Sequence, residues 1–302
     1  MRRRGYHVRE HARRKPKNPG AYLAGAGNPK KVKAPRVKPL VDPRGKYVNA
    51  GKPGQKHIIS FSGGKDSAAM LFRMLELKMP IDMVLFADTG KEFPEMYDYI
   101  NKVDRILRQK HGLKVTTIRS TKPHDTWDDW FYGKVTSGKM EGKVRGWPLT
   151  LFPCWWSRQA KANVLDPVCK GHQRYIGIAA DEPRRINQKN VAQGFNYPLA
   201  QWGWTEPDCL KYLDKIGMSV PLHHHFSRTG CFCCPKQGMK SLVTLCRLYP
   251  KLWKELRRMD ATASNDFKRG VNLDDIEKMA KSEVSTLSLR DEPWRCTGYE
   301  DD

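Results

Sequence analysis

Apolar residues in this chain fall into short runs separated by longer segments of mixed polarity. Ile58-Ile59-Ser60-Phe61, residues 81–87, residues 113–118 and residues 174–178 are strand-length and rich in β-branched and aromatic residues, so each predicts a buried strand. Helix-length segments of mixed polarity lie between them. They are predicted over residues 65–78, from Pro94 to about Arg108, over 206–216, near 239–259 and over 273–281. This alternation predicts an α/β class fold, a doubly wound parallel sheet whose ligands bind at the carboxyl ends of the strands. Two turns fall on that edge, Ser62-Gly63-Gly64-Lys65-Asp66-Ser67 and Asp88-Thr89-Gly90.

Between the third and fourth predicted strands lies an insertion, residues 124–170, containing Trp127, Trp130, Trp147, Trp155 and Trp156. Such a density could stack a base, but packing beneath a long loop is the commoner use and is the expectation here. With 302 residues and 39% hydrophobic content, the chain is long enough for one α/β domain of residues 56–220 and a small, Cys-rich, mainly helical subdomain of residues 221–302.

Charge divides the chain differently. Of the net charge of +23, the first 56 residues supply 17 Lys and Arg against only Glu10 and Asp42, with seven prolines and seven glycines and no apolar periodicity. Residues 1–55 therefore read as an extended basic arm that buries too little surface to offset its ordering entropy. A polyanion, nucleic acid in the first instance, is its expected partner. No secretory or membrane-spanning run is seen, so no membrane partner is expected, and the expected location is the cytoplasm of a bacterial or phage-infected host cell. Eight cysteines in that setting read as ligands or redox thiols rather than a disulfide framework.

The glycine turn is the most specific chemical feature. It joins a strand to a helix, so the first helical N–H groups lack internal partners and the helix dipole favours an anion there. Lys65 adds a cation, while Ser62 and Ser67 add hydroxyls. Asp66 stands where a Walker A loop requires Ser or Thr, and the G-x-G-x-x-G spacing is absent as well.

The motif S-G-G-x-D-S resembles the PP-loop of the N-type ATP pyrophosphatases, a superfamily that includes the phosphoadenosine phosphosulfate (PAPS) reductases and the ATP-pyrophosphatase subunit of DNA phosphorothioation systems. Phe86 through Glu95, Tyr175 through Arg185, and Tyr197-Pro198-Leu199 with Trp202 and Asp208 are similar to later motifs of that superfamily, in order. The resemblance implies ATP with magnesium as cofactors and cleavage between the α and β phosphates, yielding an adenylate. Ser62, Gly63, Gly64, Lys65, Asp66 and Ser67 would hold the pyrophosphate, Asp66 also the Mg²⁺, and Asp88, Thr89 and Gly177 the adenosine. Lys65, Asp66, Arg184 and Arg185 would be the catalytic group.

Gly230-Cys231-Phe232-Cys233-Cys234-Pro235 places Cys231 and Cys234 at C-x-x-C spacing. Cys154 lies where iron–sulfur relatives carry cysteine, which implies a cluster on Cys154, Cys231 and Cys234 with Cys233 or Cys246 as fourth ligand. Zn²⁺ is the alternative, with His223, His224 or His225 offering nitrogen. Cys296 is similar in position to the tail nucleophile of sulfonucleotide reductases, and Cys169 and Cys209 read as core residues.

An undegraded loop beside a cysteine cluster resembles most the phosphorothioation-type and phage PAPS-reductase-like branch. The expected function is an ATP pyrophosphatase that activates an acceptor for sulfur transfer, including nucleic-acid modification, with a sulfur donor or thioredoxin-like reductant as a further partner. Two alternatives stand beside it: a thiol-dependent PAPS or APS reductase using Cys296, and a nucleic-acid-binding or virion-associated scaffold.

Overall fold

A computed structural model of the chain describes residues 47–48 and 51–282. The elements run β1 His57–Ser60, α1 Lys65–Glu76, β2 Met83–Ala87, α2 Pro94–His111, β3 Val115–Ile118 and α3 Trp127–Tyr132. They continue with α4 Trp155–Ser157, a π-helical turn Arg158–Ala162, α5 Asn163–Cys169, β4 Gln173–Ile176, α6 Gln188–Ala192, β5 Phe195–Asn196, α7 Pro198–Trp202 and α8 Glu206–Lys215. The last three are α9 Met239–Leu248, α10 Pro250–Thr262 and α11 Leu273–Lys281.

The five strands form one sheet in the order β3-β2-β1-β4-β5. Every neighbouring pair is parallel. The order reverses direction beside β1, which opens a crevice at its carboxyl end, the usual ligand position in such sheets. The fold is thus the expected doubly wound α/β, nucleotide-hydrolase-like arrangement. Central strands are buried on both faces, which is why Ile58, Ile59, Val84 and Leu85 read as continuous apolar runs instead of alternating.

Local chemistry sets the element ends. Pro94 opens α2 at its first position, and Gly112 closes it in the left-handed region at φ 64°. Thr126 with Asp129, and Thr205 with Asp208, form reciprocal capping boxes at α3 and α8. Pro250 divides the predicted helix over 239–259 into α9 and α10, because a proline has no N–H to continue the ladder.

Two boundaries differ from expectation. The domain reaches back into the expected arm: Tyr47 is buried among Ile178, Tyr197 and Ala200, and it accepts a bond from Tyr197 N–H and donates its own N–H to Gln201. Gln55 bonds Gly171 and Gln173. An isolated aromatic in a basic run carries no periodic signal, so only tertiary packing reveals its anchor. Residues 1–46, which carry most of the expected polyanion contact, lie outside the described residues. Beyond Pro221, Phe226, Phe232, Leu242, Trp253 and Ile276 join the same hydrophobic cluster as Ile59, Phe93 and Tyr175.

Candidate active site

The loop between β1 and α1 is shaped by its small residues. Gly63 adopts φ +77°, and a Cβ there would lie 2.9 Å from Met96 Cε. Ser67 Oγ donates to Gly64 O at 3.0 Å and lies 3.0 Å from Ser62 Oγ, so the two hydroxyls tie the loop to the first turn of α1. Gly177 follows β4, and a Cβ there would stand 2.6 Å from Ser67 N and 2.7 Å from Ser67 Cα. Its missing side chain lets the end of β4 abut the start of α1. Gly177 therefore acts through backbone approach.

Lys65 and Asp66 form the charged floor. Lys65 is 5% exposed, and its Nζ lies 2.9 Å from Asp66 Oδ2 and 3.2 Å from Glu206 Oε2. Burial disfavours the Lys65 charge, but the Asp66 and Glu206 carboxylates outweigh it and raise its pKa. Burial pushes the Asp66 carboxyl up, against the pull of Lys65. Glu182 completes the group: the carboxylates of Asp66, Glu182 and Glu206 offer oxygens all within 4.8 Å of one another. Burial works against ionising Glu182, and Arg185, at 2.7 Å, and Arg228 overcome this and lower its pKa. Arg228 also reaches Glu206 at 3.2 Å. Hard oxygen donors in this density match Mg²⁺, with Asp66 as the expected ligand joined by Glu182 and Glu206.

A cavity opens from this floor. Ser62, Gly64, Lys65, Asp66, Ser67 and Arg185 line one wall, and Gly177 closes its back. The same lining carries Cys154, Cys231 and Cys234, with Trp127, Trp156 and Lys161. Thus the glycine loop and three of the predicted cysteines, as far as 172 positions apart by number, look into one space.

Several predicted residues stand elsewhere. Arg184 is exposed and off the cavity lining, whereas Arg185 is on it. Asp88 is buried away from the lining, where it accepts bonds from Tyr97 Oη and Gly90 N, both at 2.8 Å, and from Arg119. Its carboxylate staples the turn after β2. Thr89 does line the cavity. Its hydroxyl donates to Glu92 at 3.0 Å and receives the Cys231 thiol at 3.5 Å, while Trp156 Nε1 donates to its carbonyl at 3.1 Å. Burial raises the pKa of Glu92, with Lys161 3.9 Å away opposing.

Of the two candidates for a fourth thiol ligand, neither faces the cavity. Cys233 is fully buried with Lys91 and Glu255 as its charged neighbours, and Cys246 sits on α9 near Glu277 and Lys281. Consecutive cysteines in a turn point different ways, so Cys233 and Cys234 diverge. Burial pushes the Cys231 thiol well above its ordinary range. Among the described residues, no three His, Cys, Asp or Glu ligand atoms other than the carboxylate trio converge within 4.8 Å. A single Zn²⁺ draws four atoms to about 2.3 Å or less, and the thiols as placed do not make that closed sphere. Cys296 lies outside the described residues.

Two cavity residues, Arg228 and Lys161, escaped the sequence reading, as did Glu206 beside Lys65, whereas His223, read there as a possible zinc ligand, lines the cavity. His223 Nε2 is buried with no hydrogen-bond partner among the described residues. Burial, then the Lys65 charge, lowers its pKa to about 4. Lys161 sits on the π-helical turn, a feature common at functional sites. Glu206 had one local signal, the capping box of α8, which marks a helix start at the sheet edge. Cys209, expected in the core, is indeed fully buried, and burial, with the nearby Asp66 carboxylate, pushes its thiol up.

The fold is a doubly wound α/β, nucleotide-hydrolase-like domain with a glycine-rich loop at the carboxyl end of β1. Comparison with known proteins is specific on the same segment. Residues 56–131 match the phosphoadenosine phosphosulfate reductase domain family. The chain is similar to an uncharacterized protein of Methanocaldococcus jannaschii, 27% identical over 66% of this chain and 40% of that protein. A second uncharacterized protein of that organism is 25% identical over 65% of this chain and 45% of its own length. A phosphoadenosine 5'-phosphosulfate reductase of Vibrio atlanticus is 26% identical over 54% and 59% respectively. The aligned region thus spans between 40% and 59% of these curated relatives. These matches support a likeness to the PAPS-reductase-like superfamily, centred on residues 56–131.

Proposed function

We propose that this protein is an ATP pyrophosphatase of the PAPS-reductase-like superfamily, which cleaves ATP to an adenylated acceptor and pyrophosphate and so prepares that acceptor for sulfur transfer. The observation that carries the reading is the shared cavity, lined both by an intact Ser-Gly-Gly-Lys-Asp-Ser loop and by Cys154, Cys231 and Cys234.

The chain's own groups divide the work. The N–H groups at the start of α1 and the Lys65 ammonium receive the departing pyrophosphate, and Arg185 and Arg228 balance charge developing at the α-phosphate. Asp66, Glu182 and Glu206 would hold the magnesium that accompanies ATP, which supplies charge neutralisation to the phosphates. Trp127 and Trp156 narrow the cavity and exclude water, protecting an adenylate from hydrolysis. Cys154, Cys231 and Cys234 would hold three corners of an iron–sulfur cluster, which would supply electrons or a sulfur-binding iron. The sulfur donor or reductant would dock beside these thiols.

The test is pyrophosphate release from ATP and Mg²⁺ by anaerobically purified protein, with DNA, tRNA or sulfate as acceptor. Acceptor-dependent release that disappears in Lys65→Ala supports the reading, and a protein that turns over no ATP with any of them refutes it. The visible spectrum and iron content of the same sample decide the cluster.

A sulfonucleotide reductase is the second reading, favoured by the similarity to the Vibrio atlanticus reductase. It requires thiol-dependent sulfite release from PAPS or APS without ATP, abolished in Cys296→Ser.

A further inference from the structure

The cavity mouth is built in an unusual way. Residues 133–146 form a hairpin, closed by the Lys134–Val144 bridge and by Val135 N–H to Lys143 O at 2.9 Å. Chain continuity carries it directly into Trp147 and Pro148 on the cavity side. From Pro148 to Cys154, both on the lining, the chain crosses the rim and exposes Leu149, Leu151 and Phe152 at 55%, 77% and 61%. Scattered exposed apolar residues need no explanation, but three within four positions at a cavity mouth do.

The rim is held firmly at both ends. Trp147 is buried and bonds Asn265 through its N–H and its carbonyl, both at 2.9 Å, and Asp260 through Nε1. At the other end Trp155 stacks on Trp127 and Trp130, and the Arg145 guanidinium lies 4.5 Å from the centre of the Trp130 ring. Buried Trp147 at one end and half-buried Trp155 at the other fix where this apolar stretch lies.

The charge of the same segment is one-sided. Residues 133–161 contain six Lys and Arg against Glu141 alone. Lys134, Lys139, Lys143 and Arg158 are exposed and make no ion pair among the described residues. Elsewhere on the cavity the cations are committed to carboxylates.

We propose that the hairpin 133–146 and the rim 149–153 are the docking surface for a single-stranded nucleic acid, with its phosphates on Lys134, Lys139 and Lys143 and a base against Phe152. The proposal rests on the adenylating reading above and names the acceptor class for that site. Access decides in favour of a strand. The acceptor must bring one slender group through the mouth to the α-phosphate, and an unstacked nucleotide does this while its neighbours' phosphates remain outside on the lysines. Stacking on aromatic side chains beside a cationic track is how sequence-tolerant single-strand sites are made.

The test uses full-length protein and short fluorescein-labelled single-stranded DNA and RNA of mixed sequence, with polyglutamate as competitor and salt as variable. In the variant Lys134→Ala/Lys139→Ala/Lys143→Ala, the slope of log affinity against log salt should fall by about 2, as expected for three lost contacts to a single strand. Phe152→Ala should weaken binding by about fivefold or more with the salt slope unchanged. Relative binding of DNA and RNA names the source. Binding unchanged in both variants means that other basic segments carry it, and overturns the proposal. Polyglutamate competing as well as the oligonucleotide also overturns it, in favour of an acidic protein. ATP affinity and pyrophosphate release are measured separately on the same samples. Loss of oligonucleotide binding and of oligonucleotide-dependent pyrophosphate release with ATP affinity intact locates the surface, whereas absent ATP turnover with oligonucleotide bound refutes the adenylating reading and not the surface.

Discussion

The two walls of the cavity are built on opposite principles. The glycine-loop wall is local: six consecutive residues at one strand–helix junction supply its N–H groups, hydroxyls, cation and one carboxylate, and every charge is balanced within reach. The cysteine wall is assembled from distant segments, with Cys154 ahead of a π-helical turn and Cys231 and Cys234 in a tight turn, and burial keeps the Cys231 thiol protonated. The difference teaches that anion binding is fixed by backbone geometry, while the thiol chemistry depends on packing and on whatever deprotonates or ligates the sulfur.

The largest break in this comparison comes from the local wall. Lys65→Ala removes the buried ammonium and leaves Asp66 and Glu206 facing each other, so pyrophosphate release should fall by about a hundredfold or more in a coupled phosphate assay. Gly177→Ala strikes the same wall from behind. Its methyl group would meet Ser67 backbone atoms at 2.6 to 2.7 Å, so urea unfolding should show a loss of about 3 kcal/mol, together with weaker ATP binding.

His223 stands where the walls meet and sharpens the contrast by pH. Its folded pKa of about 4 lies below the ordinary 6.5, so the unfolded chain takes up the proton first. Stability contributed by the neutral ring is present above pH 6.5 and is lost as pH falls towards 4, on the order of 3 kcal/mol. His223→Asn should flatten that limb of the stability profile, read by denaturant midpoints across the window. The smallest effect belongs to the cysteine wall's outward neighbour. Cys233→Ser buries a hydroxyl in a fully enclosed site and should cost about 1 to 2 kcal/mol of stability, with the spectrum of any bound cluster unchanged because Cys233 does not face the cavity.

How much of this was legible in the sequence follows the same division. The sheet was, because Ile58-Ile59 and residues 83–87 are buried on both faces and their apolar runs cannot be read otherwise. β5, only two residues long, was not, since Phe195-Asn196 gives no period. The tryptophan insertion was read as packing, and Trp127, Trp147 and Trp156 are buried as that requires, yet Trp127 and Trp156 also shape the cavity. Asp88 shows the limit of motif transfer: its place in the motif suggested adenosine, and its hydrogen bonds commit it to the turn.

By itself, then, the sequence determined an α/β sheet with an anion loop at the carboxyl end of its first strand, because glycine torsions, strand burial and helix polarity act within a few residues of one another. Only the tertiary structure decided which cysteines share the cavity, that Arg185 and not Arg184 reaches it, and that Glu182, Glu206 and Arg228 surround Lys65 and Asp66. The reason is that side-chain direction and long-range charge balance are set by how α8, the segment before α9 and the end of β4 converge, and no spacing along the chain encodes that convergence.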